Sequence, residues 1–244
     1  MKQYGLIGYP LSHSFSKGFF GEKFEKEHIT GCSYDNFPIP GINEFPALLE
    51  QHPQLQGLNV TIPYKEAVIP FLDELSDAAA RIRAVNCIHF RDGKKKGYNT
   101  DVIGFSKSLQ PLLRPHHQQA LVLGTGGAAK AIMYALEQLG ITYTAVSRQA
   151  VNGAVSYESL TKEILDTHTL IVNTTPLGMY PKVDTFPEIP YQYLSSQHLL
   201  YDLVYNPAET AFLQKGAAQG AAIKNGHEML ILQAEASWEI WNSL

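Results

Sequence analysis

The sequence predicts an α/β fold of two domains built on parallel sheets. Three observations carry that expectation. Short apolar runs alternate with segments of helical spacing along nearly the whole chain. A glycine-rich turn, Gly124-Thr-Gly-Gly-Ala-Ala129, joins one such run to one such helical segment. Pro111 and Pro115 bracket a polar connection, Arg114-Pro-His-His-Gln118, just before the strand that leads into this turn. At 244 residues the chain is long enough for one large or two small domains. The expected division is residues 1–101 with 228–244, and residues 102–227.

The elements follow in order. Tyr4–Gly8 reads as a first strand, and residues 14 to about 27 as a helix. Ser33–Phe37 is a second strand. A second helix covers Ile42 to Gln51, after Pro40-Gly41, and Gly57–Val60 is a third strand. Lys65 is expected to enter a further helix after the turn at Pro63. Cys87–Phe90 and Gly97–Thr100 flank Asp92-Gly93 as a hairpin, with Lys94-Lys-Lys96 as a solvated turn at its tip. A helix is expected from Asp101 through Leu109, capped by Asp101. In the second half, Ala120–Leu123 reads as a buried parallel strand, and Lys130–Leu139 as a helix stopped by Gly140. Thr142–Val146, Thr169–Asn173, Leu199–Leu203 and Ala221–Ile223 are further strands, with a helix near Thr210 to Gln219. The last helix runs from Glu228 to Trp241, apolar at Met229, Leu230, Leu232, Ala236, Ile240 and Trp241.

Composition narrows the function classes. A hydrophobic content of 45% and a charged content of 17% are those of an ordinary globular enzyme. The formal net charge of −4 argues against a nucleic-acid partner. Cys32 and Cys87 form no disulfide framework, no His or Cys spacing resembles a zinc site, and no metal is expected. The start of the chain lacks a signal-peptide pattern and no apolar run is long enough to span a bilayer. A cytoplasmic location, with no membrane partner, is expected.

The glycine turn points to a dinucleotide. Gly124 permits the tight turn, Gly126 lets the backbone approach a pyrophosphate, and Ala129 lets helix and strand pack closely. The helix N-terminus offers free N–H groups to phosphate. The next strand ends at Ser147-Arg148-Gln149, where an NAD site would place an acid. The Arg148 guanidinium suits a 2′-phosphate instead, so the expected cofactor is NADP.

Three polar segments in the first half suit a small polyhydroxylated acid. Gly8-Tyr-Pro-Leu-Ser-His-Ser-Phe-Ser16 offers the Ser14 and Ser16 hydroxyls, either as helix caps or to a carboxylate. In Asn59-Val-Thr-Ile-Pro-Tyr-Lys65, Asn59 and Thr61 alternate to one side of a strand end. Lys65 is set among apolar residues, where partial burial equips a Lys for acid–base work. Asn86, in Ala84-Val-Asn-Cys87, and Asn99-Thr-Asp101 add amides and a carboxylate. A ligand cleft between the two domains is expected.

With these segments together, the chain resembles the shikimate dehydrogenase family over nearly its whole length. Ser14-Phe-Ser16 resembles the family's substrate-carboxylate serines and Asn59–Lys65 its lysine motif. Ala84–Asn86 and Asn99–Asp101 match its asparagine and aspartate positions. Gly124–Ala129 matches its glycine loop, and Asn173-Thr-Thr-Pro-Leu-Gly-Met179 its loop beneath the nicotinamide. Tyr201-Asp-Leu-Val-Tyr205 and Gly226-His-Glu-Met-Leu-Ile-Leu-Gln233 match its closing motifs.

The resemblance implies an N-terminal α/β substrate domain plus a Rossmann-like NADP-binding domain with a parallel sheet. It implies NADP-dependent interconversion of shikimate and 3-dehydroshikimate in aromatic amino acid biosynthesis, with Lys65 and Asp101 as the catalytic pair. Substrate would meet Ser14, Ser16, Asn59, Thr61, Asn86, Tyr205 and Gln233, with the last helix crossing back to the first domain. Cofactor would meet Gly124, Thr125, Gly126, Gly127, Ala128, Ala129, Ser147 and Arg148. It would also meet Asn173, Thr174, Thr175, Gly178, Met179, Leu203 and Gly226. A monomer or homodimer is expected.

Three departures stand out. Ser147-Arg148-Gln149 replaces the family's Asn-Arg-Thr and loses a hydroxyl, the segment after Arg148 is short, and His227-Glu228 precedes Met229. The alternatives are a quinate/shikimate dehydrogenase using NAD, a non-catalytic sensor, and another two-domain NADP dehydrogenase, such as one acting on folates. The Lys65–Asp101 pair disfavours a sensor.

Overall fold

The computed structural model describes residues 1–11, 14–150 and 153–243. The chain separates into two compact units, residues 1–100 with 233–244 and residues 101–232.

The first unit contains β1 (Lys2–Gly8), α1 (Phe15–Lys26), β2 (Cys32–Pro38), α2 (Phe45–Gln51), β3 (Leu55–Val60), β4 (Glu74–Leu75), α3 (Asp77–Ile82), β5 (Cys87–Arg91) and β6 (Lys94–Tyr98). The second contains α4 (Asp101–Leu109), β7 (Gln119–Leu123), α5 (Gly127–Gln138), β8 (Thr142–Ser147), β9 (Val155–Ser156), α6 (Lys162–Thr167), β10 (Leu170–Asn173), β11 (Leu199–Asp202), α7 (Ala211–Ala217) and β12 (Ala222–Lys224). The last helix, α8 (His227–Asn242), starts in the second unit and ends in the first.

The first sheet has the order β2-β1-β3-β5-β6-β4. It is parallel across β2, β1 and β3, but the β5–β6 hairpin makes it mixed, because two adjacent strands joined by two residues must be antiparallel. Asp92 and Gly93, with φ of 51° and 74°, form that turn. The C-terminal part of α8 covers one face of this sheet with aromatic side chains. Trp241 stacks on Tyr4 at 4.9 Å between ring centroids, and its indole N–H donates to the Ile88 carbonyl at 2.9 Å. Phe20, Tyr34 and Trp238 complete the cluster.

The second sheet is wholly parallel, in the order β12-β11-β10-β7-β8-β9. Alternation along β7 gives it two buried faces. Ala120 and Val122 pack with Ile132, Leu136 and Phe105, and Leu121 and Leu123 with Leu165, Ile171 and Phe212. The strand order reverses between β7 and β10, and in such sheets ligands bind beyond the carboxyl ends of the strands at that point.

Several expectations are corrected. Lys65 does not enter an α-helix. One helical turn closes with Val68 N–H on the Tyr64 carbonyl at 3.0 Å, and a 3₁₀ turn follows at Ile69–Phe71, because Pro70 has no N–H to continue the ladder. Lys94–Lys96 are not a turn but lie in β6, where Lys94 pairs with Glu74 at 2.6 Å and Lys95 with Asp73 at 2.7 Å. The short elements β4, α3, β9 and α6 carried no apolar period and were not anticipated. Asp101 stands inside the first turn of α4, where an acid favours the positive helix end, and not before it as a cap. Among the described residues, no helix is long and apolar enough to cross a membrane.

Candidate active site

In the first unit one buried polar network gathers three of the polar segments. Tyr34 Oη donates to Asn59 Oδ1 at 2.8 Å, and the Ser16 side chain hydrogen-bonds the same phenol. Burial pushes the Tyr34 phenol up, and the Ser16 bond opposes that shift. Asn59 Nδ2 donates to the Asn86 carbonyl at 3.2 Å and to Ser237 Oγ at 2.9 Å. Asn86 Nδ2 donates to Thr100 Oγ1 at 3.0 Å, and Thr100 N–H donates to Asn86 Oδ1 at 2.6 Å. The Thr100 hydroxyl also reaches Gln233 Oε1 at 3.5 Å.

Ser16, Asn59, Asn86 and Gln233 are therefore joined through Tyr34, Thr100 and Ser237. Asn59 supports this frame from the interior, since both ends of its buried carboxamide are engaged within it. Sequence reasoning passed over Tyr34, Thr100 and Ser237. The only hints were the threonine inside Asn99-Thr-Asp101 and a serine four residues after Gln233 in an apolar helix.

Ser14 occupies the position before α1, yet its hydroxyl makes no capping bond. Its Oγ is buried without a hydrogen-bond partner among the described residues. A buried hydroxyl held open in this way suits an incoming acceptor such as a carboxylate. Ser12 and His13 of the same segment lie outside the described residues. Thr61 and Lys65 are half-buried, and Val85 N–H donates to the Lys65 carbonyl at 2.7 Å, tying the Lys65 turn to the segment that carries Asn86. Asp101, the first residue of the second unit, is 9% exposed.

In the second unit the glycine turn leaves β7 at its carboxyl end. Gly124 has φ of +113°, and a Cβ there would lie 2.6 Å from Thr174 Oγ1, so only glycine lets the two chain segments meet. Gly126 faces open space, with nothing within 4 Å of a Cβ position, and precedes α5 without a side-chain cap. No acid occurs in the first turn of α5, so the N–H groups from Gly127 to Ala129 remain suited to phosphate. Thr125 is exposed and Ala128 half-buried beside them. Ser147 ends β8 and bonds the Gln149 carbonyl, and Arg148 is exposed just beyond. Tyr157, which sequence reasoning missed, sits near Arg148. Burial pushes its phenol up and the guanidinium partly offsets this. An uncapped helix start after a glycine turn, with an exposed arginine just past the neighbouring strand β8, fits NADP.

The loop after β10 is held from below. Asn173 is fully buried, its Nδ2 donating to Asp202 at 2.9 Å and its Oδ1 accepting from Thr175 N–H at 3.0 Å and Thr175 Oγ1 at 2.7 Å. Asn173 thus shapes the loop from within. Thr174 Oγ1 donates to the Leu123 carbonyl at 2.7 Å, and Gly178 N–H donates to Thr185 Oγ1 at 2.9 Å. Met179 is 48% exposed. Gly226 allows the start of α8 to close on Leu203, whose carbonyl would lie 2.1 Å from a Cβ at that position. Tyr205 is half-buried nearby in the chain.

Residues 6–88 match the family described as the shikimate dehydrogenase substrate binding domain. A shikimate dehydrogenase (NADP(+)) of Clostridium beijerinckii is 38% identical, over 99% of this chain and 92% of its own length. That of Methanosphaera stadtmanae is 34% identical, over 97% of this chain and 90% of its own. The crystal structure of the Thermus thermophilus shikimate 5-dehydrogenase, in complex with NADP(H) and shikimate, superposes with a TM-score of 0.88 at 29% identity, over 100% of this chain and 94% of that one. From the glycine turn, the substrate-side network and this full-length similarity, the chain belongs to the shikimate dehydrogenase family.

Proposed function

We infer that the chain is an NADP-dependent oxidoreductase that interconverts shikimate and 3-dehydroshikimate, in the biosynthesis of chorismate and the aromatic amino acids. The observation that carries this reading is the single buried network running from Ser16 through Asn59 and Asn86 to Thr100, directly before Asp101. It supports a rigid, hydroxyl- and amide-rich site for a small polar acid. Full-length similarity to NADP-dependent relatives supports the reaction.

In this reading residues 1–101 and 228–244 bind substrate and carry catalysis, and residues 102–227 bind NADP. Ser14 and Ser16 hold the substrate carboxylate, and Thr61, Asn86, Tyr205 and Gln233 hold its hydroxyls. NADP, when bound, supplies the donor or acceptor of the hydride. Lys65 exchanges the proton of the reacting oxygen, and Asp101 orients that oxygen and the ammonium. Gly124 to Ala129 hold the pyrophosphate and Arg148 the 2′-phosphate, while Thr174, Thr175, Gly178, Met179 and Leu203 bound the nicotinamide side. The enzyme acts in the cytoplasm as a monomer or homodimer, which sizing chromatography tests.

The deciding assay mixes purified protein with shikimate and NADP and follows reduced nicotinamide, with parallel NAD and quinate samples. Turnover with shikimate and NADP is expected. Turnover only with NAD overturns the assignment of Arg148. Binding of shikimate without turnover on any pair overturns the enzyme in favour of a sensor.

A further inference from the structure

We propose that Asp202 is the positioning residue of the cofactor half: its buried carboxylate holds the 173–177 loop and the 203–205 segment after β11 in the arrangement that receives nicotinamide. This rests on the functional reading above. Asp202 is fully buried at the carboxyl end of β11, directly opposite Asn173 on β10. Three donors converge on it from three segments. Asn173 Nδ2 reaches Oδ1 at 2.9 Å, Val204 N–H reaches Oδ1 at 3.0 Å, and Thr210 Oγ1 reaches Oδ2 at 2.5 Å.

Each donor leads somewhere useful. Asn173 passes the bond on to Thr175, whose Oγ1 accepts from Leu177 N–H at 3.3 Å, so the charge organises the loop as far as Leu177. Val204 lies between Leu203 and Tyr205. Thr210 is the N-cap of α7, accepting from Leu213 N–H at 3.4 Å. A carboxylate satisfies all three donors at once. A protonated Oδ2 donates only to Thr210 Oγ1, reversing that bond, and the bonds from Asn173 and Val204 lose their charge assistance, which roughly doubles hydrogen-bond strength.

The surroundings leave the group close to titration. Burial pushes the Asp202 carboxyl up to about 6, against the pull of Thr210, Val204 and Asn173. The titratable group facing it is Tyr191, which precedes β11 in the chain. Burial and then the Asp202 charge push that phenol up. The Lys215 ammonium of α7 lies over the Tyr191 ring, 5.6 Å from its centroid. The carboxylate is thus held ionised by hydrogen bonds rather than by an ion pair, and proton uptake slackens the loop.

The experiment is a fluorescence titration of the full chain with NADP between about pH 5 and pH 8, for wild type and Asp202→Asn. The ionisation of the 2′-phosphate, near pH 6, is common to both proteins and divides out of the ratio of their Kd values. Above pH 7 the variant is expected to bind on the order of tenfold more weakly. The ratio then falls towards one below about pH 6, where wild-type Asp202 becomes neutral as well. A lower Tm with a pH-independent ratio overturns the proposal, leaving Asp202 a fold residue. Should Asp202→Asn fail to fold, Thr210→Val decides. Loss of its donor makes protonation easier, so the acid limb of NADP binding moves to higher pH, and an unmoved limb overturns the proposal. Wild-type protein that binds no NADP overturns the functional reading itself, and this proposal with it.

Discussion

Asn86 and Thr100 clasp each other: the Thr100 N–H donates to Asn86 Oδ1 at 2.6 Å while Asn86 Nδ2 donates to Thr100 Oγ1 at 3.0 Å. Neither residue is more than 3% exposed. Asn86→Ala leaves the Thr100 N–H without its acceptor in the interior, at a cost of about 1–3 kcal/mol. Because Asp101 follows Thr100 in the chain, kcat falls too. Urea unfolding beside steady-state kinetics checks both, and a variant as stable as wild type would show that solvent reaches the clasp.

Ser14→Ala separates binding from stability. The hydroxyl is buried and has no partner among the described residues, so its removal leaves Tm unchanged or slightly higher. With a substrate carboxylate as its partner, the same change raises KM for shikimate. An unchanged KM removes Ser14 from the carboxylate site.

Lys65→Met removes an ammonium from a half-buried turn without touching the core, and so tests the proposed proton exchange. The expected result is a fall in kcat on the order of a hundredfold or more, with KM little changed. A variant altered only in KM would make Lys65 a binding residue.

Arg148 is exposed at the end of β8, so Arg148→Ala is expected to leave folding intact. KM for NADP rises on the order of tenfold or more, while turnover with NAD is unaffected or improved, since one charge-assisted phosphate contact is lost. Equal effects on the two cofactors would place the 2′-phosphate elsewhere.

Stability should carry a signature of Asp202 in the acid range. Burial raises its carboxyl from 3.8 to about 6, so the folded chain holds this proton more tightly than the unfolded chain does. The stabilisation is fully present below pH 3.8 and is lost as pH rises through about 6, with a ceiling of about 3 kcal/mol. Asp202→Asn has no proton to gain. Denaturation at pH 4.5 and 7.5 should therefore show wild type gaining on the variant at the lower pH. A constant difference would mean that the carboxyl titrates in the ordinary range.

The strands of the second sheet were legible because β7, β10 and β11 are buried on both faces and so read as unbroken apolar runs. The turn at Gly124 was legible because close approach to Thr174 and a positive φ leave glycine as the residue that fits. What stayed hidden is of two kinds. Short elements such as α3, six residues started by a Ser76 cap, are held by tertiary packing and carry no period of their own. Supporting polar residues such as Tyr34 and Ser237 lie far in sequence from the Asn59 they hold, so no local pattern betrays them. Asn59 and Asn173 show the converse. Their motifs pointed to ligands, and their buried carboxamides are hydrogen-bonded to protein neighbours.

The first unit is made from the two ends of the chain, with residues 101–232 threaded between them. During translation the strands of residues 1–100 emerge early but lack Trp238 and Trp241, the rings that lie against Tyr4, Phe20 and Tyr34. The continuous second unit can close as soon as its last strand leaves the ribosome, whereas the earlier-made half waits, with its aromatic face uncovered, for Trp238 and Trp241 to be synthesised. A nascent chain arrested before residue 233 would therefore expose that face to chaperones and proteases, so the exposure of the first-made half is set by how long residues 101–232 take to follow it.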